Sequence, residues 1–192
     1  MGLGRAAVVA ALLALAPAAA GAAGKLENVG GHLALGYAKL FTTDAPGGSL
    51  SLAGGLDYPV SATLRAGVGI GYHLLGSRIV ERGSLFASVD YSLFEAEALV
   101  HWQPRSLGPV ARLSVGPALL AANGTLSTAG GGAGFSDLAV EELAPGFAAG
   151  ATLMWKRPAP VRIGLDLGTR VGFLGRRHET WTLVTARVAV HY

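Results

Sequence analysis

The chain has 192 residues, 51% of them hydrophobic and only 14% charged, with a formal net charge of +3 and no cysteine. An ordinary soluble domain carries about 25% charged residues, so something other than water solvates much of this one. The small charge excludes a nucleic-acid-binding field, and the missing thiols exclude disulfides, thiol catalysis and cysteine-ligated metal.

Past residue 20 no apolar run approaches the roughly 18 residues of a membrane helix, and the 29 glycines fit strands better than helix interiors. High apolarity without long runs implies alternation. Residues 1–23 hold Arg5, an apolar stretch over 6–16, Pro17 and a run of small residues, which is the layout of a secretory signal. Small residues at −3 and −1 permit cleavage after Ala20 or Ala23. The domain division expected is therefore a signal peptide, 1–23, and a single barrel, 24–192.

From there one pattern repeats eight times: about ten residues of period-two alternation, then a break, the signature of a transmembrane barrel. Residues 32–41 set Leu33, Leu35, Tyr37 and Phe41 against His32, Ala34, Gly36 and Ala38, and residues 50–58 set Leu50, Leu52, Leu56 and Tyr58 against Ser51, Ala53, Gly55 and Asp57. In 64–74 Leu64, Ala66, Val68, Ile70, Tyr72 and Leu74 oppose Arg65, three glycines and His73. The fourth segment changes phase. Leu85 to Leu93 are apolar at odd positions and Phe94 to Trp102 at even ones, which predicts a bulge near Leu93 with 94–102 as the membrane part.

Residues 109–119 alternate Ala111, Leu113, Val115 and Leu119 with Arg112, Ser114, Gly116 and Ala118, with Pro117 on the outward face. Residues 145–155 carry Phe147, Leu153 and Trp155 outward. Residues 161–173 set Val161, Ile163, Leu165, Leu167, Val171 and Phe173 against Arg162, Gly164, Asp166, Gly168, Arg170 and Gly172, and 181–192 set Val184, Ala186, Val188, Val190 and Tyr192 against Thr185, Arg187, Ala189 and His191. The fold expected is all-β: an eight-stranded antiparallel up-and-down transmembrane barrel preceded by a signal peptide.

Short, proline-marked connections at 59–62, 103–108 and 156–160 read as periplasmic turns, and the stretches 42–49, 75–84, 120–143 and 174–180 as outer loops. The down-strands then end on Tyr58, Trp102, Trp155 and Tyr192, an aromatic girdle of the kind that marks a membrane boundary. With its leader, eight-strand meander and terminal aromatic, the chain resembles the small outer-membrane β-barrel families (OmpA-, OmpX- and OmpW-like). That resemblance implies a bacterial outer-membrane location, contact with outer-membrane lipid and lipopolysaccharide, and a closing strand ending in Val188, Val190 and Tyr192 that is read by the barrel-assembly machinery.

The inward faces collect Asp57, Arg65, Glu95, Glu97, Arg112, Arg162, Asp166, Arg170 and Arg187, with His73, His101 and His191 nearby. Eight strands enclose a lumen just wide enough for their own side chains, so mutual ion pairing into a plug is expected. A proton or solute path is the alternative. Glu95 and Glu97, two apart, have the spacing of an acid–base pair or a cation site, and His73, Ser77 and Glu81 have the residue types of a lipid-modifying enzyme. The loops offer Asn123, Thr125, Ser127 and Thr128, the glycines 130–134, and the basic Arg176, Arg177 and His178 as binding surface. The reading adopted is a non-enzymatic, monomeric integral outer-membrane protein of structural or loop-binding role, without cofactor, metal or nucleic acid. Its rivals are a lipid-modifying barrel enzyme and a soluble secreted barrel of lipocalin type.

Overall fold

The computed structural model describes residues 29–42, 48–82, 85–104, 111–129, 138–155, 161–174 and 179–192. The leader, the glycine run 130–134 and the basic 176–178 lie outside them. Eight strands follow in chain order: β1 (Gly30–Phe41), β2 (Ser49–Pro59), β3 (Leu64–Arg82), β4 (Leu85–Trp102), β5 (Ala111–Ala129), β6 (Leu138–Met154), β7 (Arg162–Leu174) and β8 (Glu179–His191). Each pairs antiparallel with its sequence neighbour, and β8 closes on β1 into one barrel. The last residue completes the seam: Tyr192 and Gly31 exchange backbone hydrogen bonds of 3.0 and 3.1 Å.

The register sets the shape of the cylinder. Stepping along paired residues from Thr152 to Asp166, Arg187, Gly36, Ser51, His73, Leu93 and Ala122 returns to β6 at Glu142, ten residues from the start. That stagger requires strands tilted by about 40°, each residue climbing about 2.5 Å along the axis. Because the stagger is even, inward residues meet inward residues all the way round.

The bulge expected near Leu93 of β4 lies instead on the neighbouring strand, at Leu75 of β3. Leu74 pairs with Ser92 and Gly76 with Tyr91, leaving Leu75 unopposed. Gly76 has φ of +83°, a backbone conformation that suits a residue without Cβ and is typical of a bulge. β4 itself runs without a change of phase, so Leu93 turns inward and is fully buried. Both faces of β4 are apolar around Leu93, and the alternation there says nothing about which strand gives way.

The stretches 75–84 and 120–143 are also corrected, since their described residues, 75–82, 120–129 and 138–143, are strand. β3 and β4 stay paired out to Arg82 and Leu85, and β5 and β6 to Leu126 and Leu138. A four-stranded sheet, β3 to β6, therefore rises above the shorter strands β1, β2, β7 and β8. Pro117 does face outward, and the β4–β5 ladder is interrupted between Glu97↔Ala118 and Val100↔Val115, where the proline has no N–H to donate.

Replacing Gly76 by alanine forces a side chain into the left-handed region, which costs about 1–2 kcal/mol. A matching fall in unfolding free energy in detergent or lipid, with the barrel still formed, is the expected result.

Candidate functional site

The inward faces stack three layers. Nearest the short turns, Asp57 accepts from two arginines on different strands: Arg65 Nε, and Arg112 Nη1 at 2.7 Å. Beside them Thr152 donates its hydroxyl proton to Asp166. His101 Nδ1 lies 2.8 Å from the Ser114 hydroxyl, and His32 and His191 stack across the seam with centroids 5.4 Å apart.

The middle layer joins Glu95 and Glu97 of β4 to arginines on the opposite wall. Arg170 Nε and Nη2 both donate to Glu97 Oε2, at 3.1 and 2.9 Å, and Arg170 Nε also stands 3.0 Å from Glu95 Oε2. Arg187 Nη1 donates to Glu95 Oε1 at 3.1 Å, and His73 Nε2 is 3.3 Å from Glu95 Oε2. These carboxylates reach across because β3 presents Gly69 and Gly71 beside them; a Cβ at Gly69 would stand 2.9 Å from Glu97 Oε1. Glu95 is 1% exposed and Arg187 4%. With two carboxylates and two guanidinium groups, the layer balances its own charge, as burial demands.

The upper layer is apolar and is not among the lumen features that the sequence pattern predicts. Ala38, Leu40, Leu75, Leu93, Leu120, Ala144, Trp181 and Leu183 form one buried apolar cluster inside the barrel, below the emerging sheet. Their signal was the breakdown of polar-inward alternation at strand ends, where Leu40, Leu93, Leu120 and Leu183 sit on the inward phase.

Of the nine charged positions expected in the lumen, Asp57, Arg65, Arg112, Glu95, Glu97, Arg170 and Arg187 meet in these ion pairs. Asp166 is held by a hydroxyl instead. Arg162 lies at the lower mouth, half-buried and outside any ion pair among the described residues. Between the lower and middle layers is a polar cavity of about 40 Å³, lined by His32, His101, Arg112, Asp166 and Arg187 among others. It has room for roughly three water molecules. Among the described residues no group of three or more His, Cys, Asp and Glu is arranged to hold a metal. His73 is wholly buried against Glu95, whereas Ser77 is exposed and donates to Asp90; the Glu81 side chain lies outside the described set.

The wall reverses this polarity. Leu33, Val115 and Phe147 are 65, 60 and 63% exposed, far beyond what water-facing strands tolerate as a continuous surface. On β3 the exposed apolar residues run from Leu64 to Leu74, ten residues or about 25 Å along the axis, the height of a barrel's apolar band. By register Tyr58, Trp102, Trp155 and Tyr192 stand within about 4 Å of one height at its lower edge. Trp102, Trp155 and Tyr192 are exposed and Tyr58 half-buried.

No protein-family model matches the chain, and no curated protein matches it in sequence. Solved structures do share its fold. Neisserial surface protein A superimposes with a TM-score of 0.51 at 11% identity, over 86% of this chain and 96% of that one. Ail, the attachment invasion locus protein of Yersinia pestis, gives 0.53 at 12% over 86% and 99%. A major outer membrane protein from Thermus thermophilus gives 0.56 at 12% over 85% and 98%. The fold is that of the small eight-stranded outer-membrane β-barrels.

Removing Arg170 alone leaves Glu95 and Glu97 adjacent and buried with one guanidinium fewer. Arg170→Met is expected to destabilise the barrel by about 3–5 kcal/mol, and adding Glu97→Gln to restore most of that loss, as read from equilibrium unfolding in lipid vesicles.

Proposed function

We propose that the chain is an integral protein of the bacterial outer membrane with a structural or surface-binding role, a closed lumen and no catalytic centre. The observation that carries this reading is the inverted polarity: a continuous apolar wall about 25 Å high around buried, mutually neutralised charges. In water such a wall would aggregate; in a bilayer it is solvated.

Closure is supported twice over. The two ion-paired layers fill the lower lumen, the apolar cluster fills the upper, and the polar cavity between the layers, about 40 Å³, is smaller than an organic solute. The same packing disfavours a lipocalin-like ligand cavity. A lipid-modifying centre is disfavoured because His73 is buried beneath the apolar layer while Ser77 is exposed and bonded to Asp90.

The emerging sheet, which carries the outer connections, is the binding surface proposed. β2 stops pairing with β3 at His73, and β7 stops pairing with β6 at Gly146, although β3 continues to Arg82 and β6 begins at Leu138. Among the described residues two strand edges thus stand above the barrel, and such edges accept a further strand from a partner. Lipopolysaccharide and outer-membrane lipid are the surroundings proposed for the wall. The barrel-assembly machinery is the proposed reader of the exposed Val188, Val190 and Tyr192, and the barrel acts as a monomer.

The purified barrel is expected to migrate differently on a gel before and after heating, to fractionate with the outer membrane, and to give no steps of conductance in planar bilayers. A water-soluble monomer without detergent, or steady conductance, would refute the reading. Leu35→Arg, at mid-height on the wall, should weaken membrane folding by about 2–4 kcal/mol, whereas Asn123→Arg, above the band, should leave it unchanged in the same vesicle assay.

A further inference from the structure

Most of the outward wall is tiled with Leu, Val, Ile, Ala and aromatic side chains, but at Gly54 of β2 the tiling has a deep gap. Gly54 lies in the floor of an apolar groove of about 530 Å³, bordered by Leu33 of β1, Leu52 and Leu56 of β2, and Val68, Ile70 and Tyr72 of β3. The lumen does not require this glycine. Gly69 and Gly71, which make room for the glutamates, face inward, whereas Gly54 faces out. A Cβ there would stand 3.0 Å from Leu33 Cδ2, the movable end of a leucine. From the level of Leu56 to that of Tyr72 the groove climbs about 13 Å along the axis, within the apolar band.

Hydrocarbon is what lies against this wall, and the selectivity comes from a charge beyond its outer end and to one side, on β1 four residues past Leu35, the partner of Leu52, about 14 Å from the groove's edge. Lys39, on β1 six residues nearer the outer end than Leu33, is the one charged side chain that the described residues present on the outward wall at the upper edge of the band. Its Nζ lies 5.0 Å from the Phe41 ring centroid, with exposed Tyr37 on its other side along the strand. A buried ammonium is costly at the bilayer centre and tolerated at the interface, so Lys39 marks headgroup height. It makes no ion pair among the described residues, which leaves its charge to an anionic headgroup.

We propose that the Gly54 groove and Lys39 together form a binding site for a phosphorylated outer-leaflet glycolipid of the lipid A type, with one acyl chain in the groove and a phosphate on the Lys39 ammonium. This rests on the outer-membrane reading above. Acyl length and phosphate must be matched at once, which distinguishes the site from the rest of the wall.

The test is native mass spectrometry of the barrel extracted from outer membranes in mild detergent, with outer-membrane fractionation scored separately. One adduct of lipid A mass per folded barrel is expected to survive detergent exchange. Gly54→Leu should lower the retained fraction by about tenfold and Lys39→Gln by about fivefold, both variants keeping heat-modifiable migration. If Gly54→Leu does not fold, Lys39→Gln decides alone. The proposal is overturned by the absence of an adduct, by an adduct of phospholipid mass in its place, or by unchanged retention in the variants that fold. Failure of the chain to fractionate with the outer membrane would instead remove the reading beneath it.

Discussion

Eight strands closed with a stagger of ten enclose a lumen that only side chains can fill, and every other feature of this barrel answers to that narrowness. Arginines and carboxylates placed in so tight a space must neutralise one another, because a lone buried charge is far less stable than a paired one. Glu95 and Glu97 meet Arg170 and Arg187 from the opposite wall, and Asp57 gathers Arg65 and Arg112. Room for long side chains is made by glycines on the neighbouring strand, so small and large inward residues are two halves of one packing solution.

The lumen is not uniform along its axis. Charged groups occupy its lower and middle parts, and the upper end is closed by leucines, alanines and Trp181. An apolar layer needs no partners and keeps water from the outer side away from the ion pairs beneath it, where a lower effective dielectric strengthens each of them. The bulge at Leu75 belongs to this closure. It sends a leucine into the cluster at the level where β3 leaves the barrel and continues as part of the emerging sheet.

Outside, the wall combines three chemistries at separate heights: aromatics with polar atoms at the lower edge, aliphatic side chains through the middle, and Lys39 between Tyr37 and Phe41 near the top. A bilayer imposes the same order. Above it, the paired backbone of four strands continues as sheet.

How much of this was legible from the chain follows from the range of each signal. Alternation is local, so the number of strands and the period-two division of each strand into two faces could be read directly. Strand length could not. Glycine, serine and threonine in 75–82 and 120–129 look like loop residues, and only pairing between neighbouring strands carries them on as sheet. Around Leu93 both phases are apolar, and the ambiguity was resolved by Gly76, a residue on another strand. The alternation of the sequence by itself determined which face most strand residues take, because period two is a property of the strand alone. Tertiary structure decided which charge meets which, where the lumen is sealed and where a groove opens at Gly54, because these depend on the register around the closed cylinder, which no single strand encodes.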